Sequence, residues 1–393
     1  MKLPKESCQV RDTVSLLIGS DLCPAGGYEA AFRGKNAGDL FGDLLELFQE
    51  ADCSLVNLEC PLTELQPQAV KTGACLRADP SCIRILSGAG ITACNLANNH
   101  SMDYGPSGLN DTLRTCHDAG IKTFGAGETL DAAGKPLIHE AKGVRIGVIA
   151  CAEHEWSIAR SDYPGANPLS MPETLWQIRD LREQVDFLLV LVHGGREHYP
   201  LPYPQLQTWC RYMVGEGADA VICQHSHCIG GWEQFGDGLI GYGQGNLFFQ
   251  NYATTGEAWH EGVLVRFDIT GRGFWKYELI PYRQSQEFPG IRRMDAESEQ
   301  ELSARMNGWA ATLTDSKALA FAWENHCLSH ESTYLGILAG GGRYIRGLFR
   351  KFPVLRRWYS SEKRRVLLNA LRCQAHYAIT RTILEQSESK AEK

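Results

Sequence analysis

The sequence has no apolar run long enough to cross a membrane. A transmembrane helix needs about 18 consecutive apolar residues, and the first apolar run, Val14–Gly19, is too short even for the core of a signal peptide. The preceding segment, Met1–Arg11, is mixed and polar rather than basic and then apolar. We therefore expect a cytoplasmic protein, in which any membrane contact is peripheral.

The 14 cysteines form no CxxC pair and no compact disulfide framework. Several lie inside apolar runs, among them Cys53, Cys94, Cys151 and Cys223. A free buried cysteine behaves as a small hydrophobic residue. So many unpaired thiols favour a reducing compartment, and a secreted, disulfide-bonded protein is the alternative.

Positive charge is not in excess either. The net charge is -7 and the isoelectric point is about 6.0, whereas a nucleic-acid-binding domain is usually strongly basic. Gly243-Gln244-Gly245 lacks the third glycine and the following helix of a dinucleotide fingerprint. No Gly-x-Ser-x-Gly elbow is present for a nucleophilic serine. These absences leave a folded protein without nucleic acid, dinucleotide or serine-hydrolase chemistry.

Apolar runs alternate with helical patterns through the first two thirds of the chain. Six continuous runs predict strands buried on both faces: Val14–Ile18, Cys53–Leu58, Thr92–Leu96, Val144–Ala150, Phe187–Val192 and Ala220–Cys223. Helices are predicted between them at Gly38–Phe48, Ser81–Gly88, Gly105–Ala119, Pro172–Gln184 and Tyr203–Gly215. After Ser226, short strands joined by glycine-rich turns indicate antiparallel pairing. The pattern predicts an α/β fold with two facing sheets and helices outside them.

The composition changes near Gln284–Gly290. We expect one domain over residues 1–285 and a helical C-terminal extension over residues 286–393. Within the extension, Arg343–Arg365 is strongly basic and interleaved with aromatic residues. That segment predicts either peripheral contact with an anionic membrane or polymer, or a solvated helix face packed on the core.

Five of the predicted strands end in side chains that can bind a metal ion: Asp21, Glu59, Asn99 with His100, His193, and His225 with His227. Any one of them alone would more often be a cap or a surface loop residue. Because parallel strands end at one edge of a sheet, we expect them to share a cleft. Mixed nitrogen and oxygen ligands without thiolate suit Mn, Fe, Zn or Mg, and carboxylates permit one or two divalent ions.

The order of these motifs is similar to that of the calcineurin-like metallophosphoesterases, and the longer segments resemble the CapA family of capsule and poly-γ-glutamate synthesis proteins. The segments that carry this narrower likeness are Asn57–Thr63, Asn95–Gly105, Gly125–Gly127, His193–Glu197, Gly217–Ile222 and Gly245-Asn246. The likeness extends over roughly Val14 to Tyr282. It implies a layered αββα metallophosphoesterase-like sandwich in front of the helical extension.

The resemblance also implies roles for particular residues. The implied metal ligands are Asp21, Glu59, Asn99, His193, His225 and His227. His100 is the implied general acid or electrostatic catalyst, and Arg196, Glu197 and Asn246 are the implied substrate-binding residues. Three positions depart from the phosphoesterase pattern: Cys23 stands where that pattern has histidine, Glu59 where it has aspartate, and Gln224 where it has glycine. Cys23 bears most on the second metal ion.

The sequence therefore predicts a metal-dependent hydrolase that acts on a phosphoester or an amide in capsule polysaccharide or poly-γ-glutamate metabolism. In that function its partner is an anionic polymer or a phosphoester or amide substrate, and no nucleic acid is involved. The alternative is a non-catalytic accessory or polymer-binding subunit of a polymer synthesis complex. The substitutions at Cys23 and Glu59 keep this alternative open.

Overall fold

The predicted strands form two mixed β-sheets that pack face to face. The structure is a computed structural model that describes residues 12–66, 68–71, 73–250, 256–285, 289–330 and 360–391, with side chains as far as residue 384. Its strands are β1 Val14–Leu22, β2 Cys53–Leu58, β3 Ala93–Asn95, β4 Lys122–Phe124, β5 Ala126–Gly127, β6 Leu137–Ala141, β7 Val144–Ala152, β8 Gly165–Ala166, β9 Phe187–His193, β10 Ala220–Gln224, β11 Trp232–Phe235, β12 Gly238–Gly241, β13 Asn246–Phe248, β14 Glu261–Gly271, β15 Phe274–Ser285 and β16 Gly290–Arg293.

The helices lie mainly on the outer faces of the sheets. They are α1 Glu29–Gly34, α2 Ala37–Phe41, α3 Leu45–Glu50, α4 Ile83–Gly88, α5 Gly105–Asp118, α6 Leu130–Ala133, α7 Met171–Arg182, α8 Pro204–Gly215, α9 Ala296–Thr314, α10 Ser316–Ser329, α11 Ser361–Arg372 and α12 Gln374–Ala391. The first sheet has the order β16-β15-β14-β1-β2-β3-β4, and β13 also pairs with β1. The second has the order β11-β12-β10-β9-β7-β6. Strands β1–β4 run parallel, while β14–β16 are antiparallel, as the turn-rich sequence after Ser226 predicts.

The continuous apolar runs give each sheet two buried faces, because successive side chains of a strand point to opposite sides. Leu16 and Ile18 of β1 face the second sheet in the central core, together with Leu189 and Ile222. Leu17, between them, packs outward with the helices α1–α5. The outer face of the second sheet is covered by α7, α8 and the C-terminal helices. The expected layered αββα sandwich is therefore confirmed.

One helix prediction was wrong. The segment Gly38–Phe48 is not a single helix, because α2 ends at Phe41 and α3 begins at Leu45. Gly42 between them has φ of 53°, a left-handed conformation that glycine adopts without steric cost. A Cβ atom there would lie 2.3 Å from the Arg292 guanidinium. The positive φ therefore favours glycine at this turn, and Arg292 Nη2 donates to the Asp39 carbonyl at 3.1 Å.

Beyond β16, the described part of the C-terminal extension is helical and packs on the second sheet. Trp323 of α10 and Ile379 of α12 belong to the core that covers the outer face of that sheet, and Trp323 Nε1 donates to Thr382 Oγ1 at 3.2 Å. The first sheet also continues past the compositional change, since β16 pairs with β15. Most of the basic segment Arg343–Arg365, from Arg343 to Tyr359, lies outside the described residues.

Two further findings concern the cysteines and the membrane. Every cysteine that the structure describes is a free thiol, and all of these except Cys75 are buried, so they act as small core residues as predicted. Among the described helices, none combines the length and apolar character needed to cross a bilayer.

Candidate metal centre

The predicted metal-binding side chains meet between the two sheets rather than at the edge of one. Asp21 on β1 pairs with Asn57 on β2, which brings Glu59 beside it. On the second sheet, His193 at the end of β9 pairs with Gln224 at the end of β10, and His225 and His227 follow directly. The side chains thus lie in one cleft, and the strands that carry them belong to two facing sheets rather than to one.

Among the residues that the structure describes, two groups of side chains could each hold a metal ion. Glu59, His225 and His227 form one group, and Asp21, Glu59 and His193 form the other. Within each group the ligand atoms lie within 4.8 Å of one another, and every member is buried. Glu59 belongs to both groups. Its Oε1 lies 3.6 Å from His193 Nε2 and 3.8 Å from His227 Nε2.

A divalent ion fits this donor set because several buried polar atoms have no partner. Both carboxylate oxygens of Glu59 are buried without a hydrogen bond, and so is Nδ1 of His225. Such atoms are rare in folded proteins, since each one costs free energy unless a ligand satisfies it. Carboxylate oxygen and imidazole nitrogen are also the ligands that Mn, Fe and Zn ions accept.

Two buried carboxyl groups lie side by side in this site, and a positive charge would stabilise their ionised forms. Burial raises the pKa of Glu59 well above its ordinary value of 4.5, and the neighbouring Asp21 carboxylate raises it further. Burial also raises the pKa of Asp21, although His227 and the hydrogen bond from Asn57 oppose that shift. A bound cation would favour the ionised form of both carboxylates.

Asn246 fixes the orientation of His227. The Asn246 amide nitrogen donates to the carbonyl of Trp259 at 3.0 Å and lies 3.4 Å from that of His227. Its oxygen therefore faces His227 Nδ1 at 2.9 Å. That oxygen can only accept, so Nδ1 carries the proton and Nε2 keeps its lone pair for a metal ion. Asn246 is fully buried, and these bonds allow it to orient His227. The substrate contact that the resemblance implies for Asn246 stays a prediction.

Asn57 and Asn99 place His193. Asn57 Nδ2 donates to Asp21 Oδ1 at 2.8 Å and lies 3.2 Å from His193 Nδ1. On the other side of the ring, Asn99 Oδ1 lies 3.0 Å from His193 Nε2. The amide oxygen of Asn99 thus lies beside the ring nitrogen of His193 that faces Glu59, within reach of an ion bound there.

The turn after β10 holds its two histidines in an uncommon backbone conformation. His225 and His227 have φ of 97° and 52°, which residues other than glycine seldom adopt. The backbone N–H of His225 donates to Asp21 Oδ2 at 3.0 Å. Gln224 itself lies within β10, and its amide nitrogen donates to Gln244 Oε1 at 2.9 Å and to the Gly19 carbonyl at 3.2 Å. Gln224 therefore joins the two sheets where the phosphoesterase pattern has glycine.

His100 is paired with a carboxylate beside the metal-binding groups. Asp103 Oδ2 lies 2.7 Å from His100 Nδ1, and Lys71 pairs with the other oxygen of Asp103. Burial and the charge of Lys71 lower the pKa of His100, while Asp103 opposes them. With Nδ1 engaged, Nε2 is the ring nitrogen left for a substrate. A cleft of about 290 Å³ lined by Lys71, Asn99 and Asp103, among others, lies next to this ion pair.

Arg196 and Glu197 follow the His193 turn. Nε of Arg196 is buried without a hydrogen-bond partner. Although burial alone would raise the pKa of Glu197, the charges of His225, His227 and Arg196 lower it to about 2. Glu197 is thus an additional anion close to the two histidines, and Arg196 is a cation with an unsatisfied donor.

Sequence reasoning missed the carboxylates that follow β7. Oε1 of Glu155 lies 4.0 Å from His225 Nε2, and burial together with Glu197 raises its pKa to about 7. Glu153 is fully buried two residues earlier. The signal was available, because Glu153 and Glu155 follow a buried strand just as Glu59 follows β2. Lys71 gave no signal, since it lies in a loop far from any apolar run.

Cys23 does not belong to either metal-binding group of the described residues. It is buried in the apolar core outside the first sheet, with Cys60, and its backbone N–H donates to the Phe248 carbonyl at 2.7 Å. Its side chain therefore takes a core position at the place where the phosphoesterase pattern has a histidine ligand.

The chain is similar in sequence to bacterial capsule synthesis proteins. The family model described as bacterial capsule synthesis protein PGA_cap matches residues 15–251. The chain is 27% identical over 221 residues to the capsule biosynthesis protein CapA of Bacillus anthracis, covering 54% of this chain and 53% of that protein. It is 25% identical over 299 residues to the PGA biosynthesis protein CapA of Bacillus subtilis (strain 168), covering 75% of this chain and 77% of that protein.

A third relative is the "Probable polyglutamine synthesis accessory protein" of Mycobacterium tuberculosis (strain H37Rv), 29% identical over 204 residues and covering 48% of this chain and 53% of that protein. The chain thus spans about half the length of the Bacillus anthracis and Mycobacterium relatives.

Among solved structures, a novel phosphatase from Mycoplasma pneumoniae aligns with a TM-score of 0.44 and 14% identity, covering 69% of this chain and 94% of that chain.

Proposed function

The chain belongs to the bacterial capsule synthesis protein PGA_cap family, and from that premise we propose that it is a metal-dependent hydrolase of a phosphoester or an amide in capsule or poly-γ-glutamate metabolism. The observation that carries the proposal is Glu59, whose two buried oxygens have no hydrogen bond and which belongs to both groups of ligand atoms. A buried carboxylate without hydrogen bonds is best explained as a ligand of one or two divalent ions.

The proposed ligands are Asp21, Glu59, Asn99, His193, His225 and His227. When bound, a divalent ion supplies Lewis-acid activation of water and of the substrate oxygen. Asn57 and Asn246 hold the imidazole rings in place, as the distances of 3.2 Å to His193 and 2.9 Å to His227 support.

His100 is the proposed general acid. Asp103 orients the ring by its contact with Nδ1 at 2.7 Å, so Nε2 carries a proton for the leaving group only in the imidazolium form, whose lowered pKa Asp103 partly restores. Lys71 holds Asp103 in place through its own ion pair. Arg196 offers its unsatisfied Nε donor to a negatively charged substrate oxygen, which favours an anionic substrate.

The alternative is a non-catalytic accessory or polymer-binding subunit. The Mycobacterium relative is named as a probable accessory protein, and Cys23 occupies a core position instead of a ligand position. Peripheral contact with a membrane or polymer through Arg343–Arg365 also stays a prediction. Loss of liposome co-sedimentation on deletion of the residues after Gly340 would support it.

The proposed function is tested by turnover. Wild type, His100→Asn and the control His117→Asn are loaded with Mn²⁺ and assayed on bis-p-nitrophenyl phosphate and γ-glutamyl-p-nitroanilide. His117 is an exposed residue of α5. We expect kcat for His100→Asn to fall about 100-fold or more, with metal content unchanged and the control equal to wild type. Metal-loaded wild type that turns over neither substrate and instead retains poly-γ-glutamate would favour the accessory role.

A further inference from the structure

Glu153 joins the C-terminal extension to the metal centre. One carboxylate oxygen accepts hydrogen bonds from the backbone N–H of Gly195 and the hydroxyl of Tyr203, both at 3.0 Å. The other accepts from the backbone N–H of Ala375 at 3.1 Å and from the thiol of Cys373 at 3.4 Å. Four donors from three separate segments of the chain therefore meet on one buried side chain.

The segment around Glu153 also contacts the ligand-bearing turns directly. The backbone N–H of Glu153 donates to the carbonyl of His193 at 3.0 Å. A Cβ atom on Gly194 would lie 2.7 Å from Cγ of Glu153, so this glycine is needed for the two segments to approach so closely. Four residues further on, Ser157 Oγ donates to the carbonyl of Asn98 at 2.6 Å. The loop of residues 153–157 thus supports both the His193 turn and the Asn99 turn.

The extension holds this loop from the other side. The backbone N–H of His154 donates to Gln374 Oε1 at 2.7 Å, and Gln374 Nε2 lies 2.6 Å from His154 Nδ1. The Arg372 guanidinium lies 5.6 Å from the centre of the Trp156 ring. Residues 372–375, where α11 ends and α12 begins, therefore make contact with most of the loop. The family model ends at residue 251, so this arrangement joins the matched region to a part of the chain beyond it.

We propose that Glu153 is a positioning residue through which α11 and α12 hold the metal-ligand turns in place. The inference rests on the proposed function in that it takes the cluster around Glu59 to bind a metal ion. In this arrangement the extension is a required part of the metal centre, and docking of α12 raises the affinity for the ion by reducing the freedom of the His193 turn.

The test replaces Glu153 by an isosteric group that cannot accept on both sides. In Glu153→Gln, the NH2 group of the amide replaces one carboxylate oxygen and faces the backbone N–H of either Gly195 or Ala375. Two donors then face each other, so one of the two hydrogen bonds is lost. The matched control is Glu233→Gln. Glu233 is also buried, and it accepts from Tyr242 at 2.7 Å and pairs with Arg211, but it lies on β11 at the other edge of the second sheet.

Two quantities are measured in the full chain: the Kd for Mn²⁺ by calorimetric titration, and hydrogen exchange of the peptides that contain the His193 turn and α12. We expect Glu153→Gln to weaken Mn²⁺ binding about 10-fold or more and to speed exchange in both peptides. Glu233→Gln should stay within about twofold of wild type. Equal Mn²⁺ affinity in Glu153→Gln and wild type, or an equal loss in Glu233→Gln, would overturn the proposal.

If Glu153→Gln does not fold, Gln374→Ala decides by the same criteria. It removes only the contacts with His154 and should weaken Mn²⁺ binding by roughly 2- to 10-fold, whereas unchanged affinity overturns the inference. Wild type that binds no Mn²⁺ contradicts the proposed function instead. In that case, hydrogen exchange still tests the positioning role of Glu153, because it needs no metal ion. Unchanged protection of the His193 turn in Glu153→Gln would exclude that role.

Discussion

Replacing Glu59 by glutamine should stabilise the metal-free protein and at the same time abolish metal binding. The wild-type carboxylate is fully buried, has no hydrogen bond, and has a pKa well above 4.5 because of burial and Asp21. A group whose pKa is raised on folding is favourable below its unfolded pKa, and that contribution is lost as the pH rises through the folded pKa. Glutamine has the same shape but no charge, so it does not incur this loss.

The magnitude follows from the cost of a buried polar group without a partner, which is about 1–3 kcal/mol and larger for a charged group. Because burial and Asp21 raise the pKa of Glu59, ionisation of this carboxylate at pH 8 opposes folding in the metal-free protein. We therefore expect Glu59→Gln in EDTA at pH 8 to be more stable than wild type by about 1–3 kcal/mol. At pH 4 the two proteins should have nearly equal stability. Mn²⁺ at 100 times its Kd should stabilise wild type by about 2.7 kcal/mol and leave the variant unchanged.

The assay is urea denaturation at both pH values, with EDTA and with Mn²⁺. Glu301→Gln serves as the control, since Glu301 is an exposed residue of α9, and its stability should follow that of wild type throughout. A Glu59→Gln protein that is less stable than wild type in EDTA at pH 8 would refute the reasoning, because it would mean that the carboxylate is satisfied by the protein itself.

Two more predictions concern the metal ligands. Asn246→Ala should weaken Mn²⁺ binding about 10-fold, because it removes the contact that keeps the lone pair of His227 at Nε2; calorimetric titration measures the change, and an unaltered Kd contradicts the tautomer assigned to His227. Mn²⁺ affinity should also rise with pH, and binding should release protons. Glu59 and Asp21 have raised pKa values and must lose their protons to bind the ion. His225 contributes no proton, because burial lowers its pKa to about 3 and leaves it neutral. Titration in buffers of different ionisation enthalpy counts the protons, and the absence of proton release at pH 6 would contradict this assignment.

Much of the fold could be predicted because its strands are buried on both faces. A run such as Phe187–Val192 has one interpretation as a strand between two layers, and β9 differs from it only by one added residue, His193. The helix of Gly38–Phe48 could not be predicted correctly, because the turn at Gly42 packs against Arg292, which lies about 250 residues away and donates to the Asp39 carbonyl. Periodicity in the sequence contains no information about such a contact.

In the candidate site, the sequence indicated the metal-binding residues but not the residues that orient them. Motif order brought Glu59, His193 and His227 into one hypothesis, since each follows a buried strand or lies close after one. The roles of the supporting residues depend on contacts across the interface of the two sheets. Asn246 is an example, because only its contacts with His227 and Trp259 show that it orients a histidine. Glu153 is another, because its partners Cys373 and Ala375 lie more than 200 residues away along the chain.

The metal content of the purified chain tests the central claim most directly. Wild type and His225→Ala/His227→Ala are purified in parallel without chelator, incubated with Mn²⁺, desalted and measured by mass spectrometry. We predict about one or two divalent ions per wild-type chain and none in the double variant, with both proteins folded by circular dichroism. Wild type that contains no ion and takes up none on titration would contradict the account.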